Sequence, residues 1–211
     1  MNESGPRFAL AGSWARIPLS SEAATLSSIR KMTEQITGRM DQLATLRAEM
    51  RARFVKAADV ARSGGATDMF IGLELVPGIP LPAWIAVFPA DYESADLSTI
   101  GFSDLVRSVD FSTGPAIEGG TKRESDIASP TPIHAVRHAW RRTTDVVEGD
   151  AEQKFEFIEA DYWVVASDPN RLALVTFSSA LADYEDEMLD LFDAMMSTMK
   201  WPAPTATVAS A

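Results

Sequence analysis

AVRHAWRRTT (135–144), KFEFIEADYWVVA (154–166) and RLALVTFS (171–178) are strand-like runs separated by short polar turns at Glu148-Gly149-Asp150 and Asp168-Pro169-Asn170. Each is rich in β-branched and aromatic residues, as a pleated, half-buried surface requires. Connections this short join antiparallel neighbours, because a parallel pair needs a crossover of a dozen or more residues. The period then changes. From Leu181 to Lys200, the residues Leu181, Tyr184, Met188, Leu191 or Phe192, Met195 and Met199 fall on one helical face. Asp183, Glu185, Asp186 and Glu187 crowd its first turns, where acids suit the macrodipole, and Pro202 stops it after Trp201. Strands joined by tight turns and closed by an amphipathic helix predict an α+β fold, an antiparallel β-sheet flanked by helices.

Toward the N-terminus the same logic holds. Met69, Ile71, Leu73 and Leu75 alternate with Phe70, Gly72 and Glu74, and Trp84 to Phe88 is a second strand-like run, expected to pair with the first. Between them Val76-Pro77-Gly78-Ile79-Pro80-Leu81-Pro82 is stiffened by its prolines and apolar at Ile79 and Leu81. A stiff apolar loop is a candidate partner-binding element, carried by Ile79, Pro80 and Leu81; the alternative folds Ile79 and Leu81 back onto the core.

Ser13 to Leu19 reads as an extended segment that Pro18 places at a sheet edge. Ser20 or Ser21 is expected to cap a helix with Leu26, Ile29, Met32 or Thr33, and Ile36 inward, ended by Gly38. Asp41 is expected to cap a second helix, with Leu43, Leu46, Met50, Phe54, Ala57 and Ala61 as its apolar stripe, Arg51 and Arg53 solvated, and Gly64-Gly65 closing it. Residues 89–132 are the least legible: a short helix is expected over Ser103 to Val109, strand residues between about 107 and 117, and loop from Gly114 to Pro132. The length suits one domain over residues 1–201, followed by a small-residue tail at 202–211.

Of the 211 residues, 46% are hydrophobic and 23% charged, ordinary globular usage. Thirty acidic against 19 basic residues leave a net charge of -11, which repels nucleic acid and anionic lipid and either favours a basic protein partner or only keeps the surface soluble. There is no cysteine, hence no disulfide framework, thiolate nucleophile or cysteine-zinc site. The opening residues lack the basic and apolar regions of a secretory signal, and Ile79 to Ala90 is too short and proline-broken to span a bilayer, so a cytoplasmic protein is expected.

Chemical motifs fail one at a time. His134 and His138 are spaced to share a face, as paired metal ligands require, but no His-Glu-x-x-His occurs and Glu152 or Glu156 would have to supply a third ligand from the next strand. No Gly-x-Ser-x-Gly elbow marks a serine nucleophile. Gly114 to Lys122 has phosphate-loop glycine spacing, yet Gly120 and Thr121 stand where the Lys-Ser/Thr pair belongs. Gly64-Gly65 follows a helix rather than opening one, which disfavours dinucleotide binding. Glu156, Glu159 and Asp161 are close in sequence and read as a solvated strand face. Met188, Met195, Met196 and Met199 read as core filling rather than an adaptable binding surface. No catalytic residue, cofactor or metal is assigned.

The run Tyr162-Trp163-Val164-Val165 through Asp168-Pro169-Asn170-Arg171 to Ser178, with Leu189 to Met195 and Trp201, resembles actinobacterial PsbP-like domains, which are α/β/α sandwiches. Trp14 to Leu19, Ala57 to Gly65 and Pro77 to Pro82 are similar to actinobacterial proteins found near specialised secretion loci. The resemblance implies a docking or assembly role and leaves Pro89 to Pro132 unaccounted for. The expected function is therefore a non-enzymatic protein–protein interaction factor, an adaptor or chaperone-like protein linked to secretion. The alternatives are an immunity or inhibitor protein for a basic toxin, and a small-ligand or metal-binding protein.

Overall fold

The computed structural model describes residues 6–38, 40–91, 120–128, 133–148, 151–166 and 171–201. Its strands are β1 (Ser13–Pro18), β2 (Asp68–Val76), β3 (Ile79–Pro80), β4 (Ala83–Asp91), β5 (Thr121–Ile127), β6 (Ile133–Glu148), β7 (Ala151–Ala166) and β8 (Arg171–Ser179). Its helices are α1 (Glu22–Thr37), α2 (Ala44–Ser63) and α3 (Glu185–Ser197). The strands form one sheet in the order β1-β2-β4-β8-β7-β6-β5, with β3 on β2. Every pairing is antiparallel. The α+β fold follows as expected, including the pairing of β2 with β4 from Asp68↔Val87 to Ile71↔Trp84.

Alternation along β4 makes the sheet two-sided. Ile85 and Val87 belong to a core with Val164, Val175 and Phe177 from the sheet and Phe192, Met195 and Met196 from α3. Ala86, with Trp84 and Phe88 beside it, faces the other way, toward Ile17, Met69, Ile29, Met32 and Ala58. Successive residues of a strand point to opposite faces, so α3 covers one side and the α1–α2 pair the other, an α/β/α sandwich. Phe177 and Phe192 stack at 4.6 Å between centroids with no exposure of either ring. Each contributes on the order of 1.5–3 kcal/mol by burial. The edges are blunted: β1 ends in Pro18, and β5 carries Arg123, Glu124 and Asp126.

Three local expectations are corrected. On α1 the inward residues are Thr25, Ile29, Met32, Thr33 and Thr37, whereas Leu26 and Ile36 are exposed. The Thr25 and Thr33 hydroxyls donate back to Ser21 O and Ile29 O, so threonine is accommodated without an orphan donor. Ser21 holds the N-cap position but its hydroxyl makes no cap bond, and Gly38 ends the helix at φ 70.

On α2 the inward strip is Ala58 flanked by Phe54, Val55 and Ala61; Phe54 and Ala61 face inward as expected, whereas Leu46 and Ala57 of the expected stripe are exposed. Asp41 lies in a 3-10 turn, and α2 begins only at Ala44. The strip is rotated because arginines share it. Arg51 donates to Thr33 Oγ1 at 3.1 Å and pairs with Glu34; Arg62 donates to Thr25 Oγ1 and to Leu19 O, both at 3.0 Å. Arg51, expected to be solvated, is a stitch between the helices.

The expected loop from Gly114 to Pro132 contains β5, which pairs with β6 from Thr121↔Ala139 to Ile127↔Ile133. As an edge strand it needs little apolar alternation, which hid it. The helix expected at Ser103 to Val109, the strand expected near 107–117 and the tail at 202–211 lie outside the described residues. Among the described residues no helix is long and apolar enough to cross a membrane.

Candidate functional site

The Val76 to Pro82 segment is a hairpin tip rather than a loop. Pro77 and Gly78 (φ 83) make the turn, with Pro pre-set for its first central position and Gly supplying the positive φ of its second. Val76 and Ile79 are then cross-strand partners, and both project into solvent, 50% and 55% exposed. Pro80 is exposed beside them.

Leu81 does not join this surface. It is wholly buried, its N–H donates to Leu73 O at 3.3 Å, and it lies in the α3-side core. The crossing of the chain at Leu81 sits so close to β2 that a Cβ on Gly72 would stand 2.4 Å from Leu81 O. Of the three residues nominated from sequence, Ile79 and Pro80 are surface groups, and Leu81 is a core residue that also lines the cleft beneath the tip.

Beneath the tip is a cleft of about 430 Å³. Ile36 from the end of α1, Leu73 and the proline rims Pro80 and Pro82 supply apolar wall, while Gly78 leaves space. Ser13, Gln35 and Glu74 supply the polar wall, and among the described residues no lysine, arginine or histidine lines it. Among the described residues Glu74 forms no ion pair. Sequence reading missed Ser13, Gln35 and Glu74 because they come from β1, α1 and β2, distant in the chain. A broader depression of about 650 Å³ runs along α2, lined by Arg51, Lys56 and Asp59 among others. It is a groove between side chains of a single helix and gathers no convergent polar set.

The carboxylates singled out in the sequence each have a partner of their own. Glu159, expected on a solvated face, is 5% exposed. Arg142 donates to its Oε1 through Nε at 2.8 Å and Nη2 at 2.7 Å, and Ser178 Oγ donates at 3.1 Å. Burial nonetheless holds its carboxyl above the usual range, against the opposing pull of Arg142 and Ser178. Asp161 accepts from Thr176 Oγ1 at 2.6 Å, and Glu156 lies 3.5 Å from Arg141. The trio thus points to three different partners and offers no paired acid and base.

His134 and His138 share a face of β6, but four residues at about 3.3 Å each separate them by about 13 Å, too far for one ion. His134 Nδ1 is 2.6 Å from Asp126 Oδ1, and His138 packs against Trp140. Glu156 opposes Thr143 and Glu152 opposes Val147, so neither lies across from a histidine. Among the described residues no group of three or more His, Asp or Glu side chains is placed to hold a metal. No protein-family model matches the chain, and no curated protein matches it.

Proposed function

We propose that this chain is a protein-interaction factor of adaptor type, acting without catalysis, whose docking element is the β2–β3 hairpin tip. The observation that carries this reading is the Val76–Ile79 pair: two aliphatic side chains directly opposed across a turn and both half exposed, on a tip whose Gly78 and Pro80 line a cleft. A rigid tip loses little conformational freedom on binding, so apolar contacts there translate efficiently into affinity. The net charge of -11 favours a basic partner through steering and complementarity. A cytoplasmic setting, a link to specialised secretion and a PsbP-like lineage are part of the same reading. An immunity protein would use the same tip and differ only in silencing its partner's activity.

The test is chemical crosslinking and affinity capture from the native cells, comparing the wild-type chain with Val76→Asp/Ile79→Asp. A stoichiometric partner retained by wild type and lost by the double variant, with an unchanged melting temperature, is the expected result. A partner retained equally by both places docking elsewhere, and turnover of a substrate by the purified chain removes the non-enzymatic reading.

A further inference from the structure

We infer that the cleft beneath the hairpin tip receives a lysine or arginine side chain of the protein partner; this rests on the docking role proposed for the tip. The cleft is two-toned in the way such a side chain is. Ile36, Leu73 and Pro80 form an apolar wall suited to a methylene stem, which long basic residues bury while keeping their charged heads in polar surroundings. Glu74 supplies a carboxylate, and Ser13 and Gln35 each add an oxygen acceptor for the remaining N–H groups.

Charge decides between a basic and an acidic or neutral occupant. Among the described residues the lining contains one carboxylate and no cation, and Glu74 has no ion-pair partner. An acidic side chain would be repelled, and a purely aliphatic one would desolvate Glu74 without compensation. A cationic head satisfies it and adds a charge-assisted hydrogen bond. Shape agrees: Gly78, with no atom within 4 Å of where a Cβ would stand, leaves the tip side of the cleft open to an entering side chain, and Val76 and Ile79 of the same tip are exposed to the rest of the partner. The occupant is therefore a basic side chain of the protein partner rather than a free amine, which would leave the exposed Val76 and Ile79 without a contact.

The test is an NMR titration of the full chain, labelled with ¹⁵N, with the capped tripeptide acetyl-Ala-Lys-Ala-amide, its arginine form and its norleucine form. The expected result is saturable shifts at the Gly72, Gly78 and Gln35 amides with the basic peptides. Affinity should be at least about tenfold weaker for norleucine and for the Glu74→Gln variant, a loss of about 1.4 kcal/mol. Equal affinity for norleucine, or shifts confined to other residues, overturns the assignment. If Val76→Asp/Ile79→Asp abolishes capture of the cellular partner while Glu74→Gln leaves it intact, the cleft assignment fails and the docking role stands. If neither variant alters capture, both fail.

Discussion

The Tyr162 hydroxyl donates to Asp193 Oδ1 at 2.7 Å, tying the middle of β7 to the last turns of α3. The other oxygen, Oδ2, accepts from Arg137 at 2.7 Å and from Arg123 at 2.6 Å. Arg123 and Arg137 are directly opposed across β5 and β6, so this one carboxylate also quenches their repulsion.

Asp193→Ala is expected to destabilise the fold by about 2–3 kcal/mol. That is below the roughly 3–5 kcal/mol for breaking a fully buried pair, because Arg123 is largely exposed. Tyr162→Phe leaves both ion pairs intact and should cost only about 1–1.5 kcal/mol. Urea denaturation of the two variants checks the order; equal costs would mean that the arginines contribute nothing.

Burial, then the hydrogen bond and charge of Asp193, push the Tyr162 phenol far above its ordinary value of 10.0. The sign follows directly. Between the unfolded and folded values the unfolded chain has lost the proton and the native chain keeps it, so this contribution is complete below about pH 10 and declines above it. Wild type should lose stability relative to Tyr162→Phe as pH rises beyond 10, read as the difference in melting temperature between the two. A constant difference from pH 9 to 11.5 contradicts this.

For Glu159 the carboxyl is raised above its ordinary value of 4.5, chiefly by burial. The native state therefore holds this proton more tightly, and the associated stability is present below 4.5 and lost as pH rises through the folded value. Glu159→Gln has no such dependence. Its stability relative to wild type should improve from pH 4 to pH 7, measured by denaturation midpoints. The opposite slope would mean that Arg142 and Ser178 outweigh burial.

At the hairpin, exposure and burial alternate sharply, and stability should follow. Leu81→Ala is expected to cost about 2–5 kcal/mol as a core truncation. Ile79→Ser and Val76→Ser should stay within about 0.5 kcal/mol of wild type. Similar losses for Leu81 and Ile79 would refute the placement of Leu81 in the core.

Gly72→Ala should destabilise by about 1–3 kcal/mol, since the new methyl would meet Leu81 O at 2.4 Å, a backbone atom that cannot swing aside. Gly78→Ala meets no atom within 4 Å and carries only the strain of φ 83, about 1–2 kcal/mol. Thermal melts rank them, and a reversed order would show that β2 and the crossing at Leu81 separate easily.

Much of this architecture is legible without coordinates, because local periodicity is a local property. Alternation in 135–144, 154–166 and 171–178 and the tight turns between them require an antiparallel meander, and the 3.6-residue spacing from Met188 to Met199 requires a helix with one buried face. The absence of recognisable chemical motifs is equally a matter of residue types and spacing. Which helical face turns inward on α2 is different: Arg51 and Arg62 occupy it only because Thr25, Thr33 and Leu19 O are there to receive them. Tertiary structure alone decided that Leu81 is core while Ile79 is surface, and that Glu159 is buried while Glu156 is not. The same holds for the cleft that brings Ser13, Gln35 and Glu74 together. Such outcomes depend on partners supplied by other elements, and contacts between residues distant in the chain leave no trace in its local pattern.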